Sequence, residues 1–353
     1  MWVFGVEAAG NRVCNHRKAS MTTARLRADR GEIDQARRTV DAVSAAFSAT
    51  VVGQDNLRES LLIGLAAGGH VLIESVPGLA KTTAARVVAE SIHGGFQRIQ
   101  CTPDLLPSDI IGTQVYDAAS TSFVTQLGPV HTNIVLLDEI NRSSAKTQSA
   151  MLEAMEERQT TIAGTVYPIP EPFLVVATQN PVDQEGTYPL SEAQTDRFML
   201  KDVVAYPSVA EEVEMIHRMD AGLYDKDRRR AAVVGLEDIR TLQRVVRGVQ
   251  MDPALMRYAS ELVAVSRDPQ VYLEPKLARL IEYGASPRAT IAFCRAARAL
   301  AVLCGRGHVI PDDIAKLAHR ILRHRLILGF EAAASGVTAD SVIDAIVHAV
   351  RVP

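Results

Sequence analysis

The chain is 353 residues long, with 47% apolar and 22% charged residues and a formal net charge of −3. That length supports about two domains with well-filled cores, and the composition is that of a soluble globular protein with no apolar run long enough to insert in a membrane. The slight acidity makes no global case for nucleic-acid binding. Cys14, Cys101, Cys294 and Cys304 lack paired spacing and the nine histidines form no ligand motif, which suits reduced thiols in a cytoplasmic protein.

The first 30 residues hold six basic and two acidic side chains and no hydrophobic core for a secretory signal. Residues 1–47 are expected to form a flexible basic leader and an N-terminal helix, and Met21 is a possible second start. His70 to Glu74, in GHVLIES, predicts a buried parallel strand between Gly68-Gly69 and a Pro-Gly turn. Thr82 to Ile92 has helical spacing and stops at Gly94-Gly95.

Strand, tight loop and helix in that order form the context in which backbone N–H groups converge on phosphate. The loop comprises Ser75, Val76, Pro77, Gly78, Leu79, Ala80, Lys81, Thr82 and Thr83. Lys81 is placed to reach the β- and γ-phosphates of ATP, and Thr82 to ligate Mg²⁺. Ser75 and Ala80 stand where the GxxxxGK[ST] pattern has glycines, so the loop alone reads equally as a phosphate cradle or an ordinary turn.

Asp109 to Pro129 contains two alternating stretches about Ala118 to Thr121, which predict a small hairpin. Asn133 to Glu139, NIVLLDE, is an aliphatic strand that ends in two carboxylates. Beside a phosphate loop, the pair reads as Asp138 for the Mg²⁺ water shell and Glu139 as the base toward the attacking water; the other reading is two acids that begin a solvated helix. Gln159 to Ile162 and Thr165 to Ile169 flank Ala163-Gly164 as a second hairpin. Phe173 to Ala177 then runs into Thr178, Gln179, Asn180 and Pro181, where Asn180 fits a sensor of the hydrolytic water. Three strand ends thus carry phosphate chemistry, as open parallel sheets arrange it.

After Pro207 the pattern turns helical. A linker helix and charged loop are expected over 208–235, with DKDRRR (225–230) as a solvated run. Leu236 to Val249, Pro253 to Ser266, Pro287 to Leu303, Pro311 to His324 and Ala339 to Val350 predict helices of a second domain over 236–353.

The stretch from Val52 to Phe198 resembles the MoxR family of AAA+ ATPases: VVGQ, GHVLIESVPGLAKT, RIQCTPDLLPSDIIGT, GPVHTNIVLLDEINRSSAKTQSAMLEAMEERQ and VVATQNPVDQEGTYPLSEAQTDRF, with GASPRATIAF (284–293) similar to the family's lid signature. The resemblance implies a P-loop α/β core over 48–207 with a parallel sheet flanked by helices, and a C-terminal α-helical lid. It implies that Gly53 and Gln54 lie near the adenine. It also places Arg197, in TDRF, as an arginine finger reaching the adjacent subunit's site, and Arg288, in SPRAT, as a second sensor gripping phosphate from the lid.

The two hairpins match the clade's helix-2 insert and pre-sensor-1 hairpin. By the same resemblance the protein forms a homo-oligomeric ring, hexameric, that remodels protein clients or assists cofactor insertion, with a von Willebrand factor A domain protein as a partner. A nucleotide-gated scaffold and a nucleic-acid motor share these motifs. A motor needs basic hairpins, and Asp109 to Pro129 and Gln159 to Pro170 contain no Lys or Arg.

Overall fold

Three aliphatic runs, apolar on both faces, become the central strands of one parallel sheet. The computed structural model describes residues 28–76, 78–181, 187–223 and 232–353. The expected leader, Met21, Cys14, Pro77 and the charged run 225–230 lie outside them. Among the described residues, no helix is long and apolar enough to cross a membrane.

The described chain opens with α1 (Arg30–Ser48), α2 (Asp55–Ala67), β1 (Val71–Glu74), α3 (Lys81–Ser91) and β2 (Phe96–Gln100). A short α4 (Pro107–Ile111) leads into the antiparallel hairpin β3 (Gly112–Asp117) and β4 (Ser122–Leu127). Next come β5 (Ile134–Asp138), a 3-10 turn at Ile140–Arg142, and α5 (Ala145–Glu157). The second hairpin, β6 (Gln159–Ile162) and β7 (Thr165–Pro168), turns at Ala163 and Gly164, both with positive φ. It precedes β8 (Leu174–Gln179), α6 (Glu192–Thr195), β9 (Leu200–Val203) and α7 (Val209–Asp220).

The strands lie in the order β2-β5-β8-β1-β9, every neighbouring pair parallel. Side chains alternate between two apolar layers, as the two-residue strand period requires. Ile73, Leu136 and Val176 join the layer under α1, α2 and α3, while Leu72, Leu137 and Ala177 join that of α5. The edge strand β2 was not visible in the sequence, because FQRIQ buries only Ile99 below a tenth of its surface.

The C-terminal region contains α8 (Leu236–Gly248), α9 (Pro253–Arg267), α10 (Pro269–Tyr272), α11 (Pro275–Ala278), β10 (Ile281–Tyr283), α12 (Pro287–Leu303), α13 (Pro311–Leu322), β11 (Ile327–Leu328), α14 (Phe330–Ala334) and α15 (Ala339–Ala349). Helices α9 to α13 each begin on proline, whose fixed φ suits a first helical turn. The region is not wholly helical: β10 and β11 pair antiparallel, in runs too short to show a period.

This lid is fastened to the core. Leu61 and Ile63 of α2, Val40 and Phe47 of α1, and Leu242, Phe293 and Leu300 of the lid belong to one continuous apolar layer. Burying each such side chain contributes about 1.5–3 kcal/mol. A polar clasp reinforces it: Arg320 donates to Glu59 at 2.7 Å and to Asn56 at 3.0 Å, and Lys316 to Glu59 at 2.5 Å. Arg325, with a buried side chain, donates to Asp196 at 2.7 Å and to the Phe198 carbonyl at 2.6 Å.

Candidate active site

Register brings the functional strand ends level. Glu74 of β1 pairs with Gln179 of β8, Leu137 of β5 with Ala177 of β8, and Gln100 of β2 with Asp138 of β5. The loop after β1 therefore starts beside Asn180, and Asp138 sits beside Thr178.

Ser75 continues β1, its amide donating to the Gln179 carbonyl at 3.1 Å and its hydroxyl to the Val76 carbonyl at 3.1 Å. It is not among the positive-φ residues, so a side chain fits where the pattern has glycine. The left-handed positions are Gly78 (φ 89°) and Ala80 (φ 53°). At Ala80, immediately before α3, alanine bears a strain of about 1 kcal/mol that glycine avoids. Lys81 donates to the carbonyls of Val76 at 3.1 Å and Ser75 at 3.4 Å. Burial lowers its pKa, opposed by the charges of Asp138 and Glu139.

Asp138 is buried. Its Oδ1 accepts from the Thr178 hydroxyl at 2.8 Å, and its Oδ2 from Arg98 Nη2 at 2.6 Å and Nε at 3.1 Å. The Glu139 amide donates to the Thr178 hydroxyl at 2.8 Å, and Glu139 takes a left-handed φ of 58°, a strained backbone of the kind found at reactive positions. Its Oε2 accepts from Gln100 Nε2 at 3.1 Å and Arg142 Nη1 at 3.2 Å. Asn180 is buried just past the end of β8. Gly53 and Gln54, both with positive φ, turn the chain into α2, and Gln54 donates to the Ala205 carbonyl at 3.3 Å.

Arg197 and Arg288 lie at the other end of the sheet. Arg197 Nε donates to Glu156 Oε2 at 2.8 Å and its Nη1 caps α6 at the Ala193 carbonyl, 3.1 Å away. Arg288 Nη2 donates to Glu156 Oε1, and its Nη1 lies 3.8 Å from Asp196 Oδ2. Both arginines line one cleft of about 210 Å³ with Gly68, Gly69 and His70, which precede β1. The phosphate loop follows β1, so about 13 Å of strand separates the two groups. Arg288 thus lies at the amino ends of the strands, away from the phosphate loop of its own core.

The site fits a magnesium nucleotide. Lys81 faces the loop that Gly78 and Ala80 bend, a Cβ on Gly78 would meet nothing within 4 Å, and Thr82 with Asp138 offers the hard oxygen donors that Mg²⁺ takes. Cys101, buried at the end of β2, is inert, its thiol pushed up to about 12 chiefly by burial. His131 bonds Thr160 at 2.9 Å through Nε2, a packing contact.

Sequence reasoning passed over Thr178, Arg98, Gln100, Arg142 and Glu156. Thr178 had a signal, since it immediately precedes Gln179 and Asn180 in a strand already read as functional. Glu156 had none: its partners are 41 and 132 positions away.

Residues 70–200 match the family described as ATPase family associated with various cellular activities (AAA), and residues 277–346 match the AAA lid domain. The chain is similar to Chaperone MoxR1 of Mycobacterium tuberculosis, 45% identical over 303 residues covering 86% of this chain and 79% of that one. It is also 45% identical to protein YeaC of Bacillus subtilis over 307 residues, 86% and 91% of the two chains. The crystal structure of a Cytophaga hutchinsonii protein assigned as an ATPase superposes with a TM-score of 0.85 at 42% identity, covering 92% of this chain and 97% of that one.

Proposed function

Because the chain belongs to the MoxR family of AAA+ ATPases, we propose that it hydrolyses ATP in a site shared between neighbouring copies of a ring and uses the cycle to remodel protein clients. The carrying observation is the register of β1, β8 and β5, which brings the loop of Lys81, Asp138 and Glu139 to the same carboxyl end of the sheet. Lys81 neutralises charge on the terminal phosphates, and Glu139 orients and deprotonates the attacking water, with Asn180 beside it. Magnesium, held by Thr82 and Asp138, supplies further charge neutralisation when bound. Thr178 fixes the Asp138 carboxylate and the Glu139 backbone through one hydroxyl.

Arg197 and Arg288, paired by Glu156 away from their own phosphate loop, are read as acting together on the next copy's nucleotide. Such a head-to-tail contact closes into a ring, for which six copies is the family expectation. The hairpins expose Tyr116, Phe123, Val124 and Val166 and carry no cation, which favours a protein client over nucleic acid. A chaperone-like role in the cytoplasm, maturing protein complexes with a von Willebrand factor A domain partner, extends the same reading and rests on the family alone.

Steady-state ATP hydrolysis tests it. Lys81→Ala is expected to lose both turnover and ATP affinity, and Glu139→Gln to keep affinity and lose turnover. Tight ATP binding without Lys81-dependent turnover in any assembly would instead favour a nucleotide-gated scaffold.

A further inference from the structure

Helix α7 has no buried residue. Val209, Val213, Ile216 and Met219 recur at helical spacing and are 78, 47, 54 and 60% exposed. Such a stripe is unfavourable in water unless something covers it. Exposed Glu212, Glu214 and Asp220 accompany it. The helix hangs at the nucleotide end of the molecule: a Cβ on Gly53 would lie 2.1 Å from the Glu211 carboxylate, and Arg218 donates to the Ser48 carbonyl at 2.8 Å.

At the opposite end, Arg244 and Arg247 of α8 face Arg295 and Arg298 of α12 across a cleft of about 530 Å³ whose lining contains no carboxylate. Ala66, Ala67 and Val246 supply apolar surface within it. Arg295 donates to the Ala67 and Gly68 carbonyls at 2.7 and 2.9 Å. Its pKa is lowered by burial and then by the charges of Arg158 and Arg247. Arg295 also lines the cleft of Arg197 and Arg288, so the two clefts adjoin at this side chain.

We infer that this arginine groove receives the acidic, apolar-striped α7 of a second copy. The inference rests on Arg197 and Arg288 acting across the interface. If they reach the next copy's nucleotide, the groove that adjoins them at Arg295 faces the elements beside that nucleotide, and α7 is one of these. Charge is complementary, with carboxylates on α7 meeting Arg244 and Arg247 in a cleft whose lining holds no carboxylate. Apolar groups are complementary too, because Ala66, Ala67 and Val246 offer a dry surface to Val213 and Ile216. No aromatic side chain lines the cleft, so it offers nothing for bases to stack on, and a protein segment is favoured over single-stranded nucleic acid.

The test uses two full-length double variants: Arg244→Glu with Arg247→Glu, and Glu212→Arg with Glu214→Arg. Mass is followed by sedimentation with ATP. Each variant alone is expected to need about tenfold or more protein than the parent chain to assemble, because like charges then meet at every contact. An equimolar mixture is expected to regain parental assembly, since opposite charges meet at both kinds of contact in an alternating ring.

Parental assembly by either variant alone, or no recovery in the mixture, overturns the docking. So does an arginine variant that assembles normally but loses binding to a fluorescent single strand. If Arg197→Ala and Lys81→Ala subunits regain turnover on mixing while the charge-reversed pair stays apart, the docking fails and the shared site stands.

Discussion

The Thr178 hydroxyl donates to Asp138 Oδ1 at 2.8 Å and accepts the amide hydrogen of the following residue, Glu139, at the same distance. One side chain on β8 thus sets both the carboxylate that ends β5 and the strained backbone of the residue after it. Thr178→Val keeps the shape and removes the hydroxyl. Turnover is expected to fall about 10- to 100-fold, the usual loss when a group orienting a metal-linked carboxylate is removed. Binding of a fluorescent ATP analogue should change far less. Equal losses of binding and turnover would instead mean that Thr178 supports the loop rather than the chemistry.

The pairing of Arg197 and Arg288 on Glu156 carries the second prediction. Arg288→Ala should cost about 100-fold or more in turnover, as removal of a charge-stabilising arginine does. Mixed with Lys81→Ala subunits, it should recover activity, because a copy with intact Lys81 then meets a neighbour with intact Arg288. A mixture proven to co-assemble but still inactive would place Arg288 on its own copy's nucleotide.

The contrast between these two sites shows what the sequence makes legible. The phosphate loop and NIVLLDE announce themselves because each is an aliphatic run cut by residues that a strand end does not otherwise need. Thr178 opens the polar end of its run, yet as a strand-forming residue still within β8 it gives no sign of bonding two residues of a neighbouring strand end. Glu156 sits among acidic neighbours on α5, and only tertiary packing shows that it holds two arginines. The lid helices were readable from their prolines, yet where the lid docks depends on Arg320, Arg325, Glu59 and Asp196, whose pairings span well over a hundred residues.

Glu59 is the centre of that clasp. Burial alone pushes its pKa up, and the hydrogen bonds and charges of Lys316 and Arg320 override this and leave it lowered. Arg320 keeps only 9% of its side chain exposed, so Glu59→Ala leaves a largely buried cation bonded to the neutral Asn56 at 3.0 Å. The expected loss is about 2–4 kcal/mol in urea unfolding, with faster amide exchange in α13. A change below about 0.5 kcal/mol would mark the clasp as an ordinary surface pair.

His70 sets the acid limb of stability. Its Nδ1 accepts from the Val175 amide at 3.0 Å and its Nε2 contacts the Met155 carbonyl at 3.3 Å, which fixes a neutral imidazole. Burial, then the charge of Arg158, depress its pKa from 6.5 to about 3. The unfolded chain therefore binds a proton below about pH 6.5 that the folded chain refuses, and stability present above that value is lost as pH falls. Between about pH 6.5 and 5, above the carboxylate range, the loss from this residue is about 2 kcal/mol. His324, also lowered well below its ordinary value by burial, adds in the same direction. Unfolding midpoints in urea from pH 8 to 5 should show the decline. His70→Leu should be less stable at pH 8, since the Val175 amide loses its acceptor, yet its slope should be shallower by about one proton. An unchanged slope in that variant would assign the titration to another group.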